Sequence, residues 1–160
     1  MLKSFRCLQS IFMGAAALYL CAGSAAADWQ YARWGATLAD VQKASGGIAK
    51  INPDRSRDPT PFKANLTAPY KAGPHDFVAY FIFDQNEKLS MVDLEMRKGG
   101  DCALLAFDLA AVYGPVQDRG SFGLRKWWDR TNGNVIIYSE ISNCKVRYTP
   151  IATAAKPDGL

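Results

Sequence analysis

Histidine occurs once in this chain of 160 residues, at His75, and that scarcity removes much of the usual chemistry. Nucleophilic catalysis by Ser, Cys or Thr needs a neighbouring base, and His75 is the one imidazole on offer. No Gly-x-Ser-x-Gly, His-Glu-x-x-His, P-loop or dinucleotide fingerprint occurs, and each is a spacing on which its chemistry depends. Structural zinc takes four ligands, which a lone histidine and four scattered cysteines do not suggest, so neither a metal nor a cofactor is expected. No apolar run reaches the roughly 20 residues needed to span a hydrocarbon core. Glycine numbers 13 without a fixed period and the hydrophobic share is 49%, which excludes collagen-like and disordered classes.

Lys3 and Arg6 form a basic start, Ile11 to Ala22 is apolar, and Gly23 to Ala27 supplies small residues before Asp28. This is the three-part plan of a secretory signal peptide, with Ala25 and Ala27 fitting the small-x-small rule for a cut after Ala27. Cys21 does not read as a lipid-attachment site, because Leu18-Tyr19-Leu20-Cys21 puts bulky residues where such signals carry small ones. The expected organisation is a signal peptide over 1–27, one exported domain over 28–150 and a flexible tail over 151–160, in the periplasm or secreted. Removing 27 of the 160 residues leaves 133, enough for a single core. The cut also removes Lys3 and Arg6, so the net charge falls from +4 to +2, too little to argue for nucleic acid or an anionic membrane. Cys7 and Cys21 leave with the signal. Cys102 and Cys144 remain, and in an oxidising compartment the simplest use of two cysteines is a disulfide.

Patterning along the domain predicts α+β structure, with short helices packed on an antiparallel sheet. Thr37 and Asp40 have the spacing of a capping box, so 37–45 reads as a helix stopped by Gly46-Gly47. Asn52 to Pro61 has a loop composition with solvated charges. Phe62 to Pro69 alternates as a half-buried strand, 71–75 turns the chain, and Phe77–Phe83 and Leu89–Arg97 form a hairpin. Asp101 caps a second helix over 102–113 that Gly114-Pro115 ends. On it Cys102, Leu105, Leu109 and Val112 share a face and Asp108 marks the opposite side. Leu124–Arg130 and Val135–Ile141 flank Asn132-Gly133, a two-residue hairpin signal. A last strand follows Asn143, its apolar face opened by Cys144, so a Cys102–Cys144 bond would pin helix onto sheet.

Trp127 and Trp128 are adjacent and must point to opposite faces of a strand, and Tyr80 likewise lies opposite Phe77, Phe81 and Phe83. Helices can cover one face, so the other is covered by Trp29, Tyr31 and Trp34 or is a binding surface. Trp127, Trp128, Arg125, Lys126, Arg130 and Tyr80 are therefore the candidate binding residues, because Trp and Arg are common interface anchors. The partner would be a protein or a second copy of the chain, meeting the open sheet face. His75 beside Asp76 reads as an exposed turn residue. Asp93 and Glu95 lie two apart on one strand face, a spacing open to acid–base work but better explained by a plain solvent-facing edge.

Helix then three strands occurs twice in this order. Phe83-Asp84 with Lys88-Leu89 lines up with Trp128-Asp129 and Asn134-Val135, which is either an internal duplication or the chance product of hairpins in an α+β domain. Trp34-Gly35-Ala36-Thr37, the segment Leu66 to Phe83, Tyr113-Gly114-Pro115, and Trp128-Asp129 leading to Cys144 and Tyr148-Thr149-Pro150 resemble small uncharacterised exported proteins of Gram-negative bacteria. At the level of fold, the chain is similar to outer-membrane assembly lipoproteins of the SmpA/OmlA type and to beta-lactamase inhibitory proteins. These likenesses imply short helices on antiparallel sheet and transfer no residue role, and shared fold does not set function. The expected function is a non-catalytic exported binding or envelope-associated module. The alternatives are a small hydrolase using His75 or a carboxylate pair, and a secreted protein inhibitor.

Overall fold

The structure is a computed structural model that describes residues 28–141 and 143–152. The expected signal peptide, and the tail from 153 onward, lie outside the described residues. The chain opens with a small hairpin, β1 (Asp28–Trp29) and β2 (Ala32–Arg33), followed by α1 (Leu38–Ala44) and β3 (Lys50–Ile51). Then come β4 (Lys63–Ala72), β5 (His75–Phe83), β6 (Leu89–Met96) and α2 (Cys102–Tyr113), and last β7 (Asp118–Arg119), β8 (Arg125–Asp129), β9 (Asn134–Ser139) and β10 (Lys145–Pro150). Short 3-10 turns at Arg55–Arg57 and Ser121–Gly123 precede β4 and β8.

The sheet order is β3-β4-β5-β6-β10-β9-β8-β7, antiparallel throughout. Each half runs helix, two-residue edge strand, 3-10 turn and three-stranded meander, and the halves join through β6 and β10 as mirror orders in one sheet. The helix-plus-three-strand repeat expected from sequence is therefore present in the topology. Its internal alignment needs correction. The β8–β9 turn corresponds to the β4–β5 turn at Gly73-Pro74, not to the β5–β6 turn at Asp84, because the first meander begins at β4, one strand earlier than the Phe83/Trp128 match assumes. Both edges of the sheet are strands of two residues, too short to template pairing with another chain.

Local chemistry explains the elements. The Thr37 side chain accepts from the Asp40 amide while the Asp40 carboxylate accepts from the Thr37 amide, closing the capping box of α1. Hydrogen bonds from Thr37 also hold the Asp40 carboxyl below the usual carboxylate range. Asp101 accepts from the Ala103 and Leu104 amides at 2.9 and 3.0 Å, and α2 stops where Gly114 takes φ 81°, a conformation that disfavours any side chain.

Several sequence expectations are corrected. The alternation of β4 breaks at a bulge between Ala64 and Leu66, so Ala64 pairs with Ile82 and Leu66 with Phe81 on opposite faces. The strand continues to Ala72 and the turn shrinks to two residues. The β8–β9 connection spans four residues rather than Asn132-Gly133 alone, because the Asp129 carboxylate accepts from both the Asn132 amide and its side chain. Pro150 closes β10 opposite Asn134. On α2 the covered residues are Leu105, Ala106 and Leu109, while Val112 is 72% exposed. Val112 lies only about 20° from Leu105 on the helical wheel, so its exposure comes from its place in the last turn of α2 and not from its angle.

One face of the sheet carries the core. Phe77, Ala79, Phe81 and Phe83 of β5 meet Leu89, Val92, Leu94 and Met96 of β6, with Val146 of β10, Ile136 and Tyr138 of β9 and Trp127 of β8 completing the surface. Val41 of α1, Leu105 and Leu109 of α2, and Trp29 of the first hairpin cover it. The Cys102–Cys144 disulfide ties the first turn of α2 to the residue before β10. Across a sequence separation of 42 residues, such a link stabilises by roughly 4 kcal/mol on the chain-entropy estimate.

Candidate functional site

A cleft of about 690 Å³ opens on the helix-covered side, where α2, the β4–β5 turn, the first hairpin and the β8–β9 turn converge. Four aromatic residues form its wall: Trp29, Tyr70, Tyr113 and Tyr148. Alternation places Tyr70 on the core face of β4 and Tyr148 on the core face of β10, while Tyr113 ends α2. Trp29 stands between Tyr70 and Tyr148, with ring centroids 5.2 and 6.2 Å away. The hydroxyls of Tyr113 and Tyr148 lie 3.3 Å apart. Asn134 is buried and fully engaged, accepting from the Trp34 indole at 2.8 Å and donating to the Asp28 carbonyl at 3.1 Å. It fastens the first hairpin to β9 and thereby fixes one side of the cleft.

The electrostatics of this cleft run against those of the chain. Lys and Arg number 19 in the sequence, yet none lines it, while Asp28, Asp108 and Asp129 do. Burial pushes the hydroxyls of Tyr70, Tyr113 and Tyr148 above the ordinary tyrosine value, most strongly at Tyr148, and the Asp129 charge adds to the effect at Tyr113 and Tyr148. These hydroxyls stay protonated as hydrogen-bond donors. The described residues contain no group of three His, Cys, Asp or Glu side chains converging as a metal site.

His75 belongs to this cleft and is not the exposed turn residue expected. It opens β5 two positions before Phe77, so alternation turns it to the covered face, where it is 6% exposed. Its Nε2 lies 2.7 Å from Asp108 Oδ2. Asp108 is thus the partner through which α2 grips the β4–β5 turn, rather than the marker of a solvent face. No serine, threonine or cysteine lines the cleft beside this pair.

Among the described residues neither α1 nor α2 lies on the opposite face of the sheet; the segment from Ser56 to Pro59 reaches over it beside Tyr80 and Asp93, and Ala64 and Ile82 are buried on that side. Tyr80, Asp93, Arg147, Ile137 and Lys126 form one continuous row of cross-strand neighbours there. Arg147 donates twice to Asp93 at 2.7 Å, and this raises the guanidinium pKa further. Asp93 is 5% exposed on a central strand and Glu95 binds Arg57 at 3.1 Å. The reading of these carboxylates as a solvent-facing edge is corrected, because the order of strands brings β10 and its cations alongside β6. Arg57 also sits over the Tyr80 ring, so the loop charges are partly engaged.

The six candidate binding residues divide between these surfaces. Trp127 is fully buried, its indole donating to the Gly114 carbonyl at 2.9 Å, and it is therefore core rather than contact surface. Arg125 shares that face, lying over the Tyr138 ring and pairing with Glu140. Trp128 and Lys126 lie on the uncovered face with Lys126 Nζ 5.5 Å from the Trp128 ring, and Tyr80 is on the same face four strands away. Arg130 is exposed in the β8–β9 turn. Trp29 and Trp34 cover the helix side, not the second face. Sequence reasoning missed Tyr70, Tyr113, Tyr148 and Asp129 because they come from four separate elements. The one available signal was parity: His75 and Tyr70 sit at core-facing positions of their strands.

Neither family models, nor curated sequences, nor solved structures offer a match to this chain.

Proposed function

We propose that the protein is an exported, non-catalytic binding module that holds a small ligand in the cleft between α2 and the β4–β5 turn. The cleft carries this reading. Its volume falls within the range of ligand sites, it combines aromatic walls with a few placed polar groups, and secondary structure and the disulfide make it rigid. The basic, apolar and small-residue order before Asp28 and the Cys102–Cys144 bond support export to the periplasm or beyond. The hydrolase alternative finds a paired histidine but no nucleophile beside it.

A fragment screen followed by protein-observed NMR tests the reading. Hits are expected to shift Trp29, His75 and Tyr113, and Ala111→Trp, placed at the exposed rim of the cleft, should abolish those shifts. Hits that leave these signals untouched would overturn it.

A second reading, a protein-docking or inhibitory surface, rests on the uncovered sheet face with Tyr80, Lys126 and Trp128. Its test is whether Tyr80→Ala and Trp128→Ala, but not Ala111→Trp, abolish an interaction with another protein or a self-association seen by analytical ultracentrifugation.

A further inference from the structure

We infer that the cleft selects an organic cation of the alkylated-ammonium class. The inference rests on the proposed use of the cleft as a binding site and adds the chemistry of its occupant. Two independent properties of the wall point to it. The first is charge: three carboxylates line the cleft and no Lys or Arg does, although Lys and Arg outnumber Asp and Glu in the chain, 19 to 15. Two of the carboxylates are left short of full compensation. Asp28 pairs with Arg33 at 3.8 Å, and a cut after Ala27 gives it the terminal ammonium as a second cation. Asp129 is held by Asn132, a neutral group, and Asp108 by His75.

The second property is the aromatic wall. Tyr70 and Tyr148 flank Trp29 with ring centroids 5.2 and 6.2 Å from its own and planes tilted by 55° and 56°, and aromatic faces attract cations that shed water readily. A hydrated metal ion is a poor fit, since metals require converging ligands that the carboxylates here do not provide. An alkylated ammonium carries a diffuse charge on an apolar body and gains from both features at once. An anion would meet three like charges, and a neutral hydrocarbon would leave the carboxylates without a partner.

The test is isothermal titration calorimetry of the purified protein with choline and with its uncharged isostere 3,3-dimethylbutan-1-ol. Choline is expected to bind roughly tenfold tighter or better, a gap equivalent to about 1.4 kcal/mol. Tyr70→Leu and Asp129→Asn should each weaken choline, and Asp129→Asn should leave the isostere unaffected. Circular dichroism of each variant establishes that it is folded. Equal binding of the two compounds would overturn the cationic inference while leaving the cleft a binding site. Binding of neither, with fragments still occupying the cleft, would also overturn it. Binding of neither with no fragment in the cleft would overturn both readings.

Discussion

Replacing the adjacent tryptophans one at a time gives a sharp test of the two-faced sheet. Trp127 is fully buried, fills space between α2 and the sheet, and satisfies the Gly114 carbonyl at the end of that helix. Truncating such a residue to alanine costs about 3–5 kcal/mol through lost transfer energy and an unfilled cavity. The orphaned carbonyl belongs to the same loss. With a urea dependence of about 2 kcal/mol per molar, typical of a small domain, Trp127→Ala should lower the denaturation midpoint by about 2 M. Trp128 is half-buried and touches Lys126 on the uncovered face. Its truncation forfeits about half of a full aromatic burial, close to 1 kcal/mol, or about 0.5 M in midpoint. Urea titrations followed by circular dichroism read both values, and unchanged slopes show that the same transition is compared. Equal losses, or a larger loss at Trp128, would refute the assignment of faces.

Three other outcomes follow from the same geometry. Reduction, or Cys102→Ala with Cys144→Ala, should cost roughly 4 kcal/mol of stability, measured by chemical denaturation with and without reductant; no difference would mean that the bond does not constrain the unfolded chain. Arg147→Ala, which leaves Asp93 with Lys145 at 3.8 Å as its remaining cation, should cost about 2–3 kcal/mol, whereas Asp93→Asn with Arg147→Met should recover much of that loss in a double-mutant cycle; additive losses would contradict a coupled pair. At high pH the tyrosines of the cleft set the sign: their folded-state pKa values are raised, so stability is intact below about pH 10 and falls as pH rises, because the unfolded chain loses those protons first. Ultraviolet difference spectra should then show buried tyrosines ionising together with unfolding; ionisation of all tyrosines near pH 10 in a still-folded protein would contradict their burial.

What could be read from the chain depended on whether the signal was local. Asp101 and Gly114 bound α2 through chemistry within a few residues of each end, and the Thr37–Asp40 box does the same for α1. The disulfide was legible because only two cysteines remain after the expected cut. The bulge at Asn65 was not, since neither glycine nor proline marks it and the shift arises from pairing with β5. The β8–β9 loop outgrew its Asn-Gly signal because Asp129 offered an acceptor that a two-residue turn would leave unused. Among the site candidates, adjacency misled: Arg125, Lys126, Trp127 and Trp128 are neighbours in sequence, and the two-residue period of a strand sends them to opposite faces. The cleft was hidden for the converse reason, that Trp29, Tyr70, Tyr113 and Tyr148 are far apart in the chain and meet only once β10 is inserted between β6 and β9.

The most direct measurement is a crystal structure of the protein grown with choline. The account predicts the ammonium group against Tyr70, facing Asp129, with the sheet face around Tyr80 and Trp128 bare of ligand. Choline seated on that sheet face, or a cleft filled only with water at saturating choline, would contradict it.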